Sequence, residues 1–271
     1  MLKELLTYFT TPCPKHIRHM GYLYEAIAMR ERYRRNKASW HHHLEKSKKF
    51  ILSASGKIKN RQKIIIIGSG LLLDVPLKKL SLLFREVILA DIIHLPETRR
   101  VAKKYNNVSL LEYDTTNTAE ALFLNIKNGI MDFPASKPTL PDAFIDNDAE
   151  SILVVSLNIL SQLSVIPHLY TIKNMPDADE SKIENWCRGI IESHISWLFS
   201  LPCNVCMISD HEFIRKNKNG DISEKGSTIH GVVLPEYEDS WIWKIAPHGE
   251  ESGEESKELY VGAWSLKKTD S

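Results

Sequence analysis

The chain has 271 residues, of which 43% are hydrophobic and 25% are charged, and its formal net charge is +1. This composition is ordinary for a globular protein, and a charge so close to zero provides no global field that would favour nucleic acid or an acidic membrane as a partner. No apolar run approaches the roughly 20 residues that span a bilayer, and the first residues lack the apolar stretch of a signal peptide. Four cysteines do not make a disulfide framework in a chain of this length, so we expect a reducing, cytoplasmic setting.

The first 60 residues show a helical pattern and are predicted to form a helical cap on the domain that follows. Apolar residues recur every three or four positions over residues 16–35. A second helix is predicted from Ser39, as its N-cap, to Gly56. We therefore divide the chain into a cap, residues 1–60, and a main domain, residues 61–271.

Two features of this cap could carry function. The basic run at the end of the first helix could contact phosphate, although a solvated helix face with cations near the negative end of the dipole explains it more simply. The consecutive histidines 41–43 point about 100° apart on a helix, so they cannot converge on one ion. We predict no metal site, and at most one or two of these histidines face inward toward the neighbouring pocket. The basic run comprises Arg30, Arg32, Arg34, Arg35 and Lys37.

Residues 63–70 hold the central motif of the sequence, in which Lys63 and four isoleucines lead into Gly68, Ser69 and Gly70. Four consecutive β-branched residues predict a strand buried on both faces, as in a parallel sheet, which ends in a tight turn. Glycines in that turn let a ligand approach the backbone, where exposed N–H groups favour polar or anionic ligand groups. The next helix is predicted to have Asp74 or Val75 at its cap and Pro76 at its first position.

Two further predicted strands end in an acid at an even spacing. Asp91 follows Gly68 by 23 residues (91 − 68), and Asp114 follows Asp91 by 23 residues (114 − 91). Such spacing is typical of a doubly wound α/β sheet. An acid at the end of the second strand commonly accepts hydrogen bonds from a ribose hydroxyl pair, and a cap for the next helix is the alternative for Asp91.

The second half of the chain predicts the rest of the sheet. Residues 150–156 and 203–209 are predicted as the fourth and fifth strands, and residues 240–247 and 258–264 as an antiparallel pair that closes the sheet. A helix over residues 181–200 carries His194 on its apolar stripe, where a core histidine is expected. Positions i and i+3 of a strand face opposite sides, so the cysteines at 203 and 206 are not a metal or redox pair.

Together these segments resemble the class I, Rossmann-like S-adenosylmethionine-dependent methyltransferases. The matching segments are residues 64–70 for the glycine motif, Asp91 and Asp114 for the acids of strands two and three, and residues 156–163 for the segment after strand four. The two-strand ending is similar as well. The resemblance covers about residues 61–271 and implies an α/β, doubly wound, mostly parallel sheet with an antiparallel C-terminal strand.

The resemblance also implies a transferase with S-adenosylmethionine as its cofactor and a methyl acceptor that the sequence does not identify. Gly68, Ser69 and Gly70 would then admit the methionine part, Asp91 the ribose and Asp114 the adenine amino group, while Ser156 and Asn158 would border the sulfonium. The family usually has an acid two residues before the first glycine and a third glycine two after the second. Here these positions hold Ile66 and Leu72, and Asp74 is the candidate to replace the missing acid.

For an O or N acceptor a base must take a proton, and the sequence offers His94 as the first candidate and His211 as the second. Two alternatives to a methyltransferase stay open. A nucleoside-binding or regulatory module that kept the sheet and lost the chemistry would explain Ile66 and Leu72. An NAD-dependent oxidoreductase is disfavoured because the third glycine of its phosphate-binding motif is missing.

Overall fold

A computed structural model describes residues 2–140, 148–251 and 253–266 of the chain. Its helices are α1 (Leu2–Thr10), α2 (Lys15–Met20), α3 (Tyr22–Gly56), α4 (Leu77–Leu83), α5 (Pro96–Ala102), α6 (Ala119–Lys127), α7 (Val165–Asn174) and α8 (Glu180–Ser200). Its strands are β1 (Lys63–Ile67), β2 (Glu86–Asp91), β3 (Val108–Glu112), β4 (Ile152–Leu157), β5 (Asn204–Lys216), β6 (Ile222–Ser227), β7 (Asp239–Ala246) and β8 (Ser256–Leu266). Part of the predicted loop over residues 129–149 lies outside the described residues.

The strands form one sheet in the order β3-β2-β1-β4-β5-β8-β7, and β6 pairs with β5 beside that path. The pairs that join β1 through β5 are parallel, whereas β8 lies antiparallel between β5 and β7. This topology confirms the predicted α/β, doubly wound, mostly parallel sheet with an antiparallel ending. The hairpin of β6 with the extended end of β5 was not predicted from the sequence.

The isoleucine run of β1 explains why the sheet is covered on both faces. All five residues of β1 are buried, and successive side chains point to opposite faces. Ile64 and Ile66 join the apolar core that includes α3 and α4, whereas Ile65 and Ile67 join the core under α8. A strand buried in this way carries no polar side chain to the surface, so only its carboxyl end, at Gly68, is available to a ligand.

The N-terminal helices differ in detail from the sequence prediction. Gly21, with a φ of 105°, separates α2 from α3 inside the segment predicted as one helix. The two predicted helices beyond it are one helix with non-helical dihedrals at Asn36. The prediction of Ser39 as an N-cap is wrong, because its hydroxyl donates to the carbonyl oxygen of Asn36 inside α3. The indole of Trp40 donates to the carbonyl oxygen of Ile245 and ties α3 to β7 at 2.9 Å. The division at residue 60 stays a prediction.

The basic run on α3 is largely paired with acids. Arg30 contacts Glu97 at 2.9 Å and Glu31 at 2.8 Å, and Arg35 contacts Glu250 at 2.5 Å. Because these contacts hold the guanidinium groups within the protein, they support the interpretation of a solvated, ion-paired helix face.

Two searches of the described residues gave no candidates. None of the helices there combines the length and the apolar character needed to cross a membrane. In the same residues, no group of three or more His, Cys, Asp or Glu side chains is placed to hold a metal ion.

Candidate functional site

A cavity of about 300 Å³ lies at the carboxyl ends of β1, β2, β3 and β4, which is the edge where doubly wound sheets bind ligands. Its wall is completed by α3, the start of α7 and Trp243 of β7. The structure brings together seven of the predicted site residues in its lining, namely Gly68, Ser69, Gly70, Asp74, Asp91, Asp114 and Asn158.

The glycine turn is held by hydrogen bonds within the protein. The N–H groups of Gly68 and Ser69 both donate to the carbonyl oxygen of Ala90, at 3.0 and 3.2 Å, and the N–H of Gly70 donates to Asp91 at 2.7 Å. These N–H groups are therefore engaged, contrary to the expectation that they would be exposed to a ligand. Gly68 has a φ of 81°, and a Cβ there would lie 2.6 Å from the carbonyl oxygen of Leu157, so a larger residue does not fit.

Asp91 joins the tips of β1 and β2. Its Oδ2 accepts from the N–H of Gly70, and its Oδ1 accepts from the N–H of Ile92 at 2.8 Å. A carboxylate has about four acceptor positions, so roughly two remain for a ligand in the cavity. Burial raises the pKa of Asp91 to about 6, against the lowering effect of the backbone hydrogen bonds. Asp91 can thus accept both hydroxyls of a ribose when it is ionised.

Asp114 has a different role from the one predicted. Its Oδ1 accepts from the N–H and the hydroxyl of Thr116, and its Oδ2 accepts from the N–H groups of Thr118 and Ala119, all within 2.7–2.9 Å. These four hydrogen bonds use its acceptor positions and cap the start of α6. The helix-cap role weighed for Asp91 is thus found at Asp114, which has no acceptor left for an adenine amino group.

A chain of polar side chains crosses the other end of the cavity. Asn158, with a φ of 49°, donates from Nδ2 to Asp74 at 2.7 Å, and the same Nδ2 lies 3.2 Å from Nε2 of His43. The indole N–H of Trp241 donates to Nδ1 of His43 at 3.0 Å. Pro76 is the residue before α4, so Asp74 is not the helix cap and its carboxylate faces Asn158.

Two pKa shifts follow from burial at this end. Burial raises the pKa of Asp74, and the hydrogen bond from Asn158 opposes that effect. Burial also lowers the pKa of His43 to about 3, so its imidazole is neutral near pH 7. His43 stacks face to face on Trp243, with ring centroids 3.9 Å apart.

The cavity has a one-sided charge. Four carboxylates line it, from Glu25, Asp74, Asp91 and Asp114, and its described lining contains no lysine or arginine. Such a wall favours a ligand that carries positive charge and disfavours one that carries phosphate.

Three predicted site residues are not in the cavity lining. His94 is fully buried, and its Nε2 lies 3.3 Å from the hydroxyl of Ser69. Ser156 is also fully buried and lies 3.0 Å from Nε2 of His194. His211 lies on β5, with its ring stacked on Tyr237 at 6.0 Å. His94 is therefore placed to support the glycine turn from behind.

Sequence reasoning did not single out the residues that α3 and β7 contribute to the cavity. Tyr22, His43 and Trp243 all line it. The expectation that one or two of the three histidines face inward did point toward His43, which is 1% exposed, whereas His41 and His42 are exposed. Trp241 and Trp243 pack on α3, as predicted, and Trp243 also faces the cavity.

No protein-family profile matches the chain, and no curated protein matches it in sequence. Solved structures with a similar fold include a DhpI–SAH complex, with 11% identity and a TM-score of 0.36 over 87% of this chain and 93% of that one. The N-methyltransferase NodS from Bradyrhizobium japonicum WM9, in complex with S-adenosyl-L-homocysteine, has 11% identity and a TM-score of 0.37 over 83% and 87%. The 23S rRNA methyltransferase ErmE has 10% identity and a TM-score of 0.30 over 80% and 67%. At such low identities and TM-scores, the assignment of the site rests on the contacts of this chain alone.

Proposed function

We propose that the chain is an S-adenosylmethionine-dependent methyltransferase of the class I, Rossmann-like superfamily. The observation that carries the proposal is an acid-lined cavity at the tips of β1–β4 in which Asp91 keeps acceptor positions free for a ribose. The cofactor would supply an activated methyl group on a positively charged sulfonium, and this charge suits a wall of four carboxylates without a basic side chain.

The residues of the cavity have separate tasks in this proposal. Asp91 binds the ribose hydroxyls at the tip of β2, and the base lies toward the tip of β3, where Tyr113 and Thr115 line the cavity. Gly68 and Gly70 keep the turn thin enough for close approach. The chain orients the two reactants and excludes water, which is the main contribution a protein makes to a displacement of this kind.

Asp114 and Ser156 enter the proposal as supporting residues. The cap that Asp114 forms fixes the loop between β3 and α6, and with it the backbone at Thr115. Ser156 holds His194 beneath the sheet edge. Of the pair that was expected to border the sulfonium, Asn158 is the one that lines the cavity. We assign no catalytic base, because neither His94 nor His211 lines the cavity.

The dinucleotide alternative fits the site poorly. A pyrophosphate would meet four carboxylates, and the N–H groups of Gly68, Ser69 and Gly70, which would have to bind it, already have acceptors within the protein. Nothing in the contacts of the cavity favours the nicotinamide dinucleotide over a nucleoside with a positive charge.

The experiment is calorimetry of the full chain with S-adenosylmethionine, S-adenosylhomocysteine and NAD. We expect the first two to bind and NAD not to bind, and Asp91→Ala to weaken both at least tenfold because the ribose loses its acceptor. Binding of NAD alone would support the oxidoreductase, and silence with all three would reject a nucleoside site.

A screen for transfer of a labelled methyl group into small metabolites, protein and RNA then separates an enzyme from a binding module. An enzyme transfers label to one class of acceptor. A chain that binds the cofactor and labels none of the three is the regulatory module that the sequence left open.

A further inference from the structure

The polar end of the cavity contains buried groups whose hydrogen bonds are incomplete. Trp243 lines the cavity with 8% of its surface exposed, and its indole N–H has no partner among the described residues. The Oδ1 of Asn158 is buried and without a partner in the same part of the chain. Buried polar groups in folded proteins are almost always paired, so a donor and an acceptor left at one end of a cavity indicate a polar ligand.

Hydrogen accounting at His43 adds a second donor. An indole N–H can only donate, so the 3.0 Å contact from Trp241 makes Nδ1 of His43 an acceptor. A neutral imidazole has one proton, which must then be on Nε2, 3.2 Å from the Nδ2 of Asn158. Two N–H donors cannot satisfy each other, so an acceptor supplied by a ligand beside them would receive both hydrogen bonds.

The reversed orientation of the Asn158 amide does not remove this requirement. It would turn Oδ1 toward Nε2 of His43, but the same atom would then lie 2.7 Å from Asp74. An oxygen at that distance from a carboxylate is acceptable only when the carboxyl group is protonated. An ammonium group near Asp74 keeps this carboxyl ionised, and it therefore favours the orientation in which Asn158 donates to Asp74.

The strand order places this end of the cavity where the cofactor's amino-acid part would lie. Asp91 is at the tip of β2, and the β3 tip lies on one side of it, while β1 and β4 lie on the other. Neighbouring strands are about 4.8 Å apart, so the tip of β4, with Asn158, lies roughly 10 Å from the tip of β2. A nucleoside that spans β3 and β2 directs its 5′ substituent toward β1 and β4.

We propose that Asp74, Asn158 and His43 form a clamp for the α-amino-acid group of the cofactor, with Asp74 receiving the ammonium and His43 donating to the carboxylate. This inference rests on the function proposed above. It moves the anchor for the ammonium from the end of β1, where Ile66 is part of the apolar core, to the loop before α4. It also makes the N-terminal helix α3 part of the cofactor site.

The chemistry of the clamp matches a zwitterion. Asp74 and Oδ1 of Asn158 are acceptors for an ammonium, whereas Nε2 of His43 and the indole N–H of Trp243 are donors for a carboxylate. Trp241 fixes the tautomer of His43, and the ring stacked on Trp243 fixes its orientation. His43 is therefore an uncharged donor, which attracts a carboxylate beside Asp74 without neutralising the acid that the ammonium needs.

The test compares S-adenosylhomocysteine with 5′-methylthioadenosine, which has the same thioether nucleoside without the amino-acid group. The variants are Asp74→Asn and His43→Phe, and the matched control is His41→Phe, an exposed position on the same helix. We expect each clamp variant to weaken S-adenosylhomocysteine roughly tenfold to a hundredfold, because a charge-assisted hydrogen bond is lost. Binding of 5′-methylthioadenosine should stay within about twofold in all variants, which also shows that each variant is folded.

A third ligand separates the two halves of the clamp. The decarboxylated analogue of S-adenosylhomocysteine keeps the ammonium, so Asp74→Asn should weaken it and His43→Phe should not. If both clamp variants weaken S-adenosylhomocysteine and 5′-methylthioadenosine equally, or weaken neither, the clamp is refuted while the nucleoside site stands. If the unmodified protein binds neither ligand, the proposed function itself has failed.

Discussion

The raised pKa of Asp91 makes ligand affinity depend on pH in a direction that the structure fixes. Burial raises this pKa from the ordinary value of 3.8 to about 6, which corresponds to about 3 kcal/mol against the ionised form. A ribose hydroxyl pair donates two hydrogen bonds, and only the ionised carboxylate can accept both while it also accepts from the N–H groups of Gly70 and Ile92. The ligand therefore selects the ionised protein.

The size of the effect follows from this pKa. Above pH 6 most of the protein has Asp91 ionised, and below pH 6 the ionised fraction falls about tenfold for each pH unit. Between pH 7 and pH 5 the affinity should therefore fall roughly tenfold, with loss as the pH decreases through 6. The ligand 5′-methylthioadenosine is suited to the measurement, because it has no ammonium and so does not report on Asp74.

Calorimetry of 5′-methylthioadenosine at pH 5, 6 and 7 measures this dependence, with Asp91→Asn as the control. The variant has a neutral side chain at every pH, so it should bind more weakly than the unmodified protein at pH 7 and show the same affinity at pH 5. A flat profile in the unmodified protein, or a pH dependence that survives in Asp91→Asn, would refute the assignment of Asp91 to the ribose.

Three further predictions concern residues that build the site. Gly68→Ala should lower the free energy of unfolding by about 2–5 kcal/mol in urea, because its Cβ would meet the carbonyl oxygen of Leu157 at 2.6 Å in a left-handed backbone, whereas Gly70→Ala, with no atom nearer than 3.9 Å, should cost about 1–2 kcal/mol. Equal losses in the two variants would contradict the steric argument. His94→Ala should lower the melting temperature because it empties a fully buried site, and the affinity of the folded variant for S-adenosylhomocysteine should change less than about threefold; loss of turnover at unchanged stability would instead restore a catalytic role. Asp114→Ala should cost about 0.5–2 kcal/mol in the same urea titration, because the start of α6 loses its cap, and an unchanged midpoint would show that other groups cap this helix.

The sheet could be predicted because its signals are local. Four isoleucines in a row can be buried on both faces only in a strand covered on both sides, and each acid follows a strand by the same number of residues. The β5–β6 hairpin was missed for a matching reason. Five of the six residues of β6 are exposed, so its sequence shows no alternation between buried and exposed positions.

The site was predicted less completely, because its chemistry depends on how the strand-end residues are already paired. The sequence around Asp114 did contain a usable signal, since threonines at 116 and 118 stand just before α6 and are typical of a helix start. The role of His43 had no such signal. It depends on Trp241 and Asn158, which lie 198 and 115 residues away along the chain.

The pairing of these groups limits which ligands the cavity can recognise. The turn after β1 donates to Ala90 and Asp91, and Asp114 is saturated by the start of α6. A phosphate would find neither free backbone donors at that turn nor a basic side chain in the described lining. A ligand that donates hydroxyl hydrogens to Asp91 and brings positive charge toward Asp74 meets groups that still have unused acceptor positions. The same turn geometry that hosts pyrophosphate in other doubly wound sheets is thus unsuited to it here, and the cavity selects a cationic nucleoside by what its own backbone has already bound.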